Sequence, residues 1–310
     1  MDKIKKIESD IKAVKIQGAT NVALAALEGI RIYVHSKKGL SGDKLYKEAI
    51  KIGDRLSKAR ENEPLARNAI KYMLDQLSEK KGTDVDKRIL EICDEYESLI
   101  QDGKVAIVDY GTGVLKDFDV VLNHCHSSTA LSILKNIAKY RKILNKNFKV
   151  VATETRPLYQ GRKSAQELLE FGVDTYLIVD SACASFITDN RYIPVDAIVV
   201  GCDELLGDGA IINKVGTFSI ALAAQKGVDS FYVATTLLKL DQRKSADSVN
   251  IEQRNPAEVW KDAPQGLEII NPAFEIVRSE YIKGYITEAG VLKPEDLISA
   301  SKNIYPWLVK

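Results

Sequence analysis

From residue 119 onward the chain keeps one rhythm: a short β-rich apolar run, a turn, then a stretch with helical apolar spacing. The runs are Val120–Asn123, Phe148–Thr153, Thr175–Val179, Ala197–Gly201 and Phe231–Ala234. Helical patterns lie between most of them, at Ala130–Tyr140, Ser164–Phe171 and Phe218–Gln225. Such alternation selects a mainly parallel sheet with helices on both faces, because parallel neighbours need a long crossover and a helix supplies it. The preceding residues, 1 to about 100, read as helical throughout. Apolar positions recur at three- and four-residue steps through Ile4, Ile7, Ile11 and Val14, and again through Val22, Leu24, Ala25, Leu27 and Ile30. Breaks fall at Gln17-Gly18, at Lys38–Gly42, at Asn62–Pro64 and at Lys81–Thr83, with Asp84 in place to cap a helix running through Leu90, Ile92 and Tyr96. Gln101–Asp117 stays open between helix and strand, since Val105–Val108 suits either and three glycines weaken both. Pro256, Pro264 and Pro272 punctuate a loop-rich region. The expected fold is α/β: an N-terminal helical domain over residues 1–118, followed by a Rossmann-like, mainly parallel sheet domain over residues 119–310.

With 310 residues, 45% of them apolar, the chain has ample material for a core. A formal net charge of +1 gives no bulk attraction to nucleic acid or to an acidic membrane. No apolar run approaches the ~18 residues of a membrane span, and the charged start Met-Asp-Lys-Ile-Lys-Lys-Ile has no apolar signal core. Cys93, Cys125, Cys183 and Cys202 are scattered, with no C-x-x-C pair and no metal-ligand spacing. They read as free thiols in a reducing compartment, so the expectation is a cytoplasmic protein with neither membrane nor nucleic-acid partners.

Two strand ends carry the chemistry. In Ile198-Val-Val-Gly-Cys-Asp203-Glu-Leu-Leu-Gly-Asp-Gly-Ala-Ile-Ile-Asn213-Lys214-Val-Gly-Thr217, an apolar run ends in an acid and a Gly-rich turn follows. Asn213 and Lys214 then read as the start of a helix, where anions are favoured. In Val120-Val-Leu-Asn-His-Cys125-His-Ser-Ser-Thr-Ala, a strand ends in Cys125 just before a helix start at Ser127, Ser128 and Thr129. A thiol there faces the positive end of the helix dipole, so the expectation is a lowered pKa and a larger thiolate fraction. His124 and His126 flank it on opposite strand faces, so neither need touch the sulfur. Each residue also has a plainer reading: Cys125 as a buried structural cysteine, Asp203 as a turn cap, and Asn213, Lys214 and Lys239 as surface polar groups. Glu154-Thr-Arg156-Pro-Leu-Tyr-Gln160-Gly161 either holds an anion or structures its loop. Ser181–Ser185 reads as tight packing beside the site.

Glu154-Thr-Arg-Pro, Gly161, Ile178-Val-Asp-Ser-Ala182, Gly201-Cys-Asp203, Asn213-Lys-Val-Gly-Thr217 and Phe231-Tyr-Val-Ala234 together resemble the translation initiation factor 2B regulatory-subunit superfamily. That superfamily also contains aldose-phosphate isomerases acting on methylthioribose-1-phosphate and on ribose-1,5-bisphosphate. The match covers essentially the whole chain. The isomerases have a catalytic Cys in a Thr-His-Cys-like strand end and a catalytic Asp in a Gly-Ala-Asp-like one, a pair that the regulatory subunits generally lack. His124-Cys125 and Cys202-Asp203 supply both here, and the length and the His-Cys-His-Ser run resemble the archaeal ribose-1,5-bisphosphate isomerases most.

The resemblance implies Cys125 as base and Asp203 as acid. It also implies phosphate binding by Ser127, Ser128 and Thr129, sugar orientation by Asn213 and Lys214, and a phosphate contact for Lys239. Arg60 and Gln17, Gly18, Ala19 and Thr20 would close the pocket from the helical domain. It further implies a phosphorylated sugar substrate, no metal or redox cofactor, and a dimer-based homo-oligomer, often a hexamer. The archaeal enzymes act in AMP degradation and are activated by AMP. Two departures stand out: Gln17-Gly-Ala-Thr20 where the family usually has Arg-Gly-Ala-Gly, and Arg60-Glu-Asn62 where it has Arg-Pro-Thr. The first loses a cation and a glycine, which bears on binding of a second phosphate. Methylthioribose-1-phosphate isomerase and a non-catalytic regulatory subunit therefore stay open as alternatives.

Overall fold

The computed structural model describes residues 2–37, 40, 42–60, 62, 64–78, 84–189 and 191–309. The helix breaks expected at Lys38–Gly42, Asn62–Pro64 and Lys81–Thr83 fall partly or wholly outside the described residues. The chain forms two compact units: residues 1–103 with 237–241 and 298–310, and residues 104–236 with 242–297. The helical unit thus takes in two segments from beyond residue 118, and the division falls at Gly103.

The first unit is built from α1 (Asp2–Lys12), α2 (Ala19–Ser36), α3 (Gly42–Ser57), α4 (Pro64–Ser78) and the first half of α5 (Val85–Leu115). Of the apolar positions read from the sequence, Ile4 and Ile11 of α1 and Val22, Leu27 and Ile30 of α2 are buried, while Ile7, Val14, Leu24 and Ala25 are half-buried; Leu45, Ala49, Ile52 and Leu56 of α3 join the core. A ring cluster adds to this core, with Tyr72 5.6 Å from Tyr96 and 5.2 Å from Trp307 between centroids. The stretch left open at 101–117 continues α5 as helix. Ile100, Ile107 and Leu115 stay on its buried side, at 5%, 1% and 0% exposure, so packing overrides the weak propensity of the glycines.

The second unit runs β1 (Val120–His124), α6 (Ser128–Ile143), β2 (Lys149–Thr153), α7 (Gln160–Glu170), β3 (Asp174–Ile178), α8 (Cys183–Thr188), β4 (Ala197–Val200), β5 (Glu204–Leu206), β6 (Ile211–Lys214), α9 (Thr217–Gly227) and β7 (Phe231–Ala234). The short β8 (Leu240–Asp241) belongs to the helical unit. Then follow β9 (Phe274–Val277), β10 (Gly284–Thr287), β11 (Gly290–Leu292) and α10 (Leu297–Ile304).

Seven strands form a sheet in the order β11-β10-β7-β4-β1-β2-β3. Every neighbouring pair is parallel except β10 with β11. Strand order reverses at β1, which lies between β2 and β4. Right-handed crossovers then place α6 and α7 on one face and α9 on the other. On the α6 face, Ala130, Leu131, Ile133, Leu134 and Ile137 pack on Val121, Val150 and Val199. Each such buried aliphatic side chain contributes about 2 kcal/mol.

A second, antiparallel sheet interrupts the alternation. In it β6 pairs with β5 (Glu204↔Ile212) and with β9 (Asn213↔Glu275), over an apolar cluster of Leu206, Ile212, Ala273 and Phe274. The Gly-rich turn seen in the sequence is the hairpin between β5 and β6, where Gly209 has φ 80°. Asn213 and Lys214 are therefore the last residues of a strand, and the helix begins only at Thr217. The region marked by Pro256, Pro264 and Pro272 is loop with a 3-10 turn at Pro256–Glu258, and β9, β10 and β11 follow it. No helix among the described residues is long and apolar enough to cross a membrane.

Candidate active site

The carboxyl ends of β1 and β4 lie side by side, with His124 opposite Val200 in the parallel register. Strand order reverses here, and in open α/β sheets such a point leaves a crevice for ligands. Cys125 leaves β1, Asp203 follows β4, and Asn213 and Lys214 end β6. The approach is close: a Cβ on Gly201 would stand 2.7 Å from Ser127 Cβ. Ser127 caps α6, its hydroxyl accepting the Ala130 N–H at 3.3 Å. With Ser128 and Thr129 it puts the amides of a sixteen-residue helix at the site, a polarity that favours anions.

Electrostatics correct one expectation. Burial pushes the Cys125 thiol up to about 11; the Lys214 ammonium opposes this and the Asp203 carboxylate adds to it. Desolvation outweighs the helix dipole, so at neutral pH the thiol holds its proton. Lys214 and Asp203 are thus within electrostatic reach of the sulfur. Lys214 is 8% exposed; its Nζ donates to the Ala273 carbonyl at 2.7 Å and lies 4.6 Å from the centre of the Phe274 ring. The Asp203 amide donates to the Ile212 carbonyl at 2.9 Å, tying the acid to the hairpin. Asn213 Nδ2 donates to Thr217 Oγ1 at 3.0 Å. The N-terminus of α9 is already served: Glu275 accepts the amides of Phe218 and Gly216. Burial raises that carboxyl and the two amides pull it back.

The two histidines have different tasks. His124 is 1% exposed, and burial lowers it to about 4. Its Nε2 lies 2.9 Å from the Val215 carbonyl, so that nitrogen carries the proton, and Thr153 Oγ1 donates to Nδ1 at 2.6 Å. A neutral His124 thereby joins β1, β2 and the approach to α9. His126 donates through Nδ1 to Ser164 Oγ at 3.0 Å, and Ser164 donates on to the Cys125 carbonyl at 2.8 Å.

The loop after β2 has a structuring role. Asp180 accepts the amides of Thr155 and Arg156, both at 2.7 Å. Arg156 donates to Tyr159 Oη at 2.7 Å and to the Val259 carbonyl at 2.8 Å, while Arg162 pairs with Glu154 at 2.7 Å. A Cβ on Gly161 would fall 1.7 Å from the Thr153 carbonyl oxygen, so only glycine lets α7 start this close to β2.

Of the residues singled out from sequence, Cys125, Ser127, Ser128, Thr129, Asp203, Asn213 and Lys214 lie in the sheet unit. Gln17, Gly18, Ala19, Thr20, Arg60 and Lys239 lie in the helical unit. There Gly18 precedes α2 with φ 85°, Arg60 is 6% exposed, and Lys239 is half-buried after a short 3-10 turn. Sequence reading gave no individual role to Thr155 or Asp180, which lie in the quoted motifs, or to Ser164 of α7; Thr155 and Ser164 hold the Cys125 backbone from 30 and 39 residues away, and Asp180 holds Thr155. Gln160, within the stretch read as holding an anion or structuring its loop, has a buried Oε1 with no hydrogen-bond partner among the described residues.

The model of the initiation factor 2 subunit family matches residues 15–294. A protein of Methanocaldococcus jannaschii named ribose 1,5-bisphosphate isomerase is 33% identical over 313 residues, covering 100% of this chain and 98% of that protein. One from Thermoanaerobacter sp. (strain X514), named methylthioribose-1-phosphate isomerase, is also 33% identical, over 92% of this chain and 86% of its own. Among solved structures, a Pyrococcus horikoshii OT3 protein described as translation initiation factor eIF-2B superposes with a TM-score of 0.81 at 25% identity, covering 96% of this chain and 99% of that one.

Proposed function

This chain belongs to the initiation factor 2 subunit family, and on that premise we propose that it is an aldose–ketose isomerase converting ribose 1,5-bisphosphate to ribulose 1,5-bisphosphate in AMP breakdown. The observation that carries the reading is the meeting of Cys125 and Asp203 at the β1/β4 switch point, with the charges of Asp203 and Lys214 both felt by the thiol. The names of the relatives support the same substrate class.

The C1 phosphate prevents ordinary opening of the sugar to an aldehyde, so an acid must help the ring oxygen leave C1. Asp203 protonates that oxygen as the C1–O bond breaks. The Cys125 thiolate takes the proton from C2, giving a C1–C2 double bond, and returns a proton to C1. Asp203 takes the 2-hydroxyl proton as the C2 carbonyl forms, so both groups end as they began. At rest the thiol is protonated. Productive binding then requires moving one proton from Cys125 to Asp203, with no change in the total. Lys214, already near the sulfur, stabilises the resulting thiolate. Ser127, Ser128, Thr129 and the start of α6 bind one phosphate, and Asn213 orients the sugar. Arg60, Lys239 and Gln17, Gly18, Ala19 and Thr20 are the residues we propose for binding a second phosphate. The protein works as a cytoplasmic, dimer-based homo-oligomer, with AMP as activator.

The test incubates purified protein with ribose 1,5-bisphosphate, with and without AMP, beside Cys125→Ser. Ribulose 1,5-bisphosphate from the wild type and none from the variant is the expected result; no product under either condition from folded protein overturns the reading. The replacement of a cation by Gln17 favours one second reading, methylthioribose-1-phosphate as substrate. Direct competition between the two sugars distinguishes them.

A further inference from the structure

Cys125 is a non-glycine residue with φ 68°, in the left-handed region that its own Cβ disfavours. Such a backbone persists only where its surroundings hold it. Here both backbone groups are held by hydroxyls distant in sequence, one from the loop after β2 and one from α7. The Cys125 N–H donates to Thr155 Oγ1 at 3.0 Å, and its carbonyl accepts from Ser164 Oγ at 2.8 Å. Each hydroxyl is fixed in turn. Thr155 gives its own proton to the Thr153 carbonyl at 3.3 Å, and Ser164 accepts the His126 Nδ1–H at 3.0 Å. Thr155 is itself left-handed, with φ 62°, and its N–H is held by Asp180 at 2.7 Å. Thr155 and Ser164 are both 0% exposed, so water is not at hand to replace either bond.

We propose that Thr155 and Ser164 are the positioning residues of Cys125. They lock the left-handed turn that holds the half-buried thiol within electrostatic reach of Asp203 and Lys214 and limits its contact with water. Neither touches a reacting atom. The proposal rests on the reading of Cys125 as the base, yet it makes a claim about the thiol that does not need a substrate. Releasing either hydrogen bond lets the turn relax toward the ordinary backbone regions. The sulfur then leaves its place beside the sugar C2 and gains solvent. Turnover falls while the thiol becomes easier to ionise, because burial is what raises it.

The variants are Thr155→Val, which keeps the β-branch and loses the hydroxyl, Thr155→Ser, which keeps the hydroxyl, and Ser164→Ala. Thr155→Val and Ser164→Ala should lower kcat on the order of 10- to 100-fold, as a small misplacement does, with KM held within about two-fold. Thr155→Ser should restore kcat to near the wild-type value. In parallel, iodoacetamide labelling at pH 8 is followed by peptide mass spectrometry. Cys125 should label several-fold faster in Thr155→Val and Ser164→Ala, while Cys93, Cys183 and Cys202, buried elsewhere, keep their wild-type rates. Wild-type labelling of Cys125 in both variants, or equal acceleration of all four cysteines, would overturn the proposal. The second outcome would mean a loosened protein. Should the wild type show no turnover, the isomerase reading fails on its own, and the labelling still decides the positioning role.

Discussion

At the amino-terminal edge of the parallel sheet, Lys283 pairs with Asp229 at 2.5 Å with side chains 46% and 90% exposed, and Asp196 accepts the amides of Asp119 and Val120 at 3.0 and 2.9 Å. At the carboxyl ends of the same strands His124 is buried, as are Asn213 and Lys214 at the end of β6 in the second sheet, and Cys125, Thr155 and Tyr159 all have positive φ. Charges at the first edge are screened by water and contribute little. At the second, an imidazole is held neutral, a thiol is held protonated and an ammonium is held by one carbonyl and a ring. Such arrangements cost stability and persist where function needs them. One sheet thus has a solvated edge of screened charges and an edge of buried polar groups and strained backbone.

The largest expected contrast comes from the reacting groups. Asp203→Asn should cost on the order of 10³-fold in turnover, in keeping with loss of an acid and base in the transition state. Lys283→Ala at the opposite edge should leave turnover unchanged, and comparable losses from both variants would erase the distinction between the edges.

Next in size is the pH dependence of stability. His124 is lowered from 6.5 to about 4 in the fold, so between those values the unfolded chain binds the extra proton and stability rises with pH. The contribution is complete above about pH 6.5 and lost as pH falls through 4; it amounts to on the order of 3 kcal/mol. Urea unfolding at pH 7 and pH 4.5 should show a drop that His124→Gln largely removes. An equal drop in that variant would assign the acid sensitivity elsewhere.

Smaller again is Gly161→Ala, whose methyl group meets the Thr153 carbonyl. It should destabilise by about 2 kcal/mol, the usual scale of overpacking, measurable as a lower urea midpoint at constant slope. The smallest effect belongs to the solvent-facing edge: Lys283→Ala should change stability by less than about 0.5 kcal/mol, and a larger shift would show that edge to be more than a screened pair.

Sequence exposed these two edges unequally. The five apolar runs of the parallel sheet are visible because each is bounded by turns and most are followed by helical spacing, and the proposed reacting groups fall at the carboxyl ends of two of them. Cys125 and Asp203 could be placed on that basis alone. The antiparallel sheet could not: β5 has three residues and β6 and β9 four each, too few to show a period, and the glycines between β5 and β6 look like a helix approach. Thr155, Ser164 and Asp180 escaped for a different reason. Their roles depend on contacts between segments far apart in the chain, and neither the quoted motifs that contain Thr155 and Asp180 nor the helical spacing around Ser164 shows which groups meet. The raised thiol follows the same logic, because burial is a property of the packed site while the helix start is a local one.

The most direct measurement uses ribose 1,5-bisphosphate deuterated at C2, offered to the wild type and to Cys125→Ser. Proton transfer by Cys125 predicts slowed turnover of the deuterated sugar by the wild type, some of the label appearing at C1 of the ribulose product, and no product above background from the variant. Equal turnover by the two proteins would contradict Cys125 as the base and, with it, the carboxyl edge of β1 as the place where the reaction occurs.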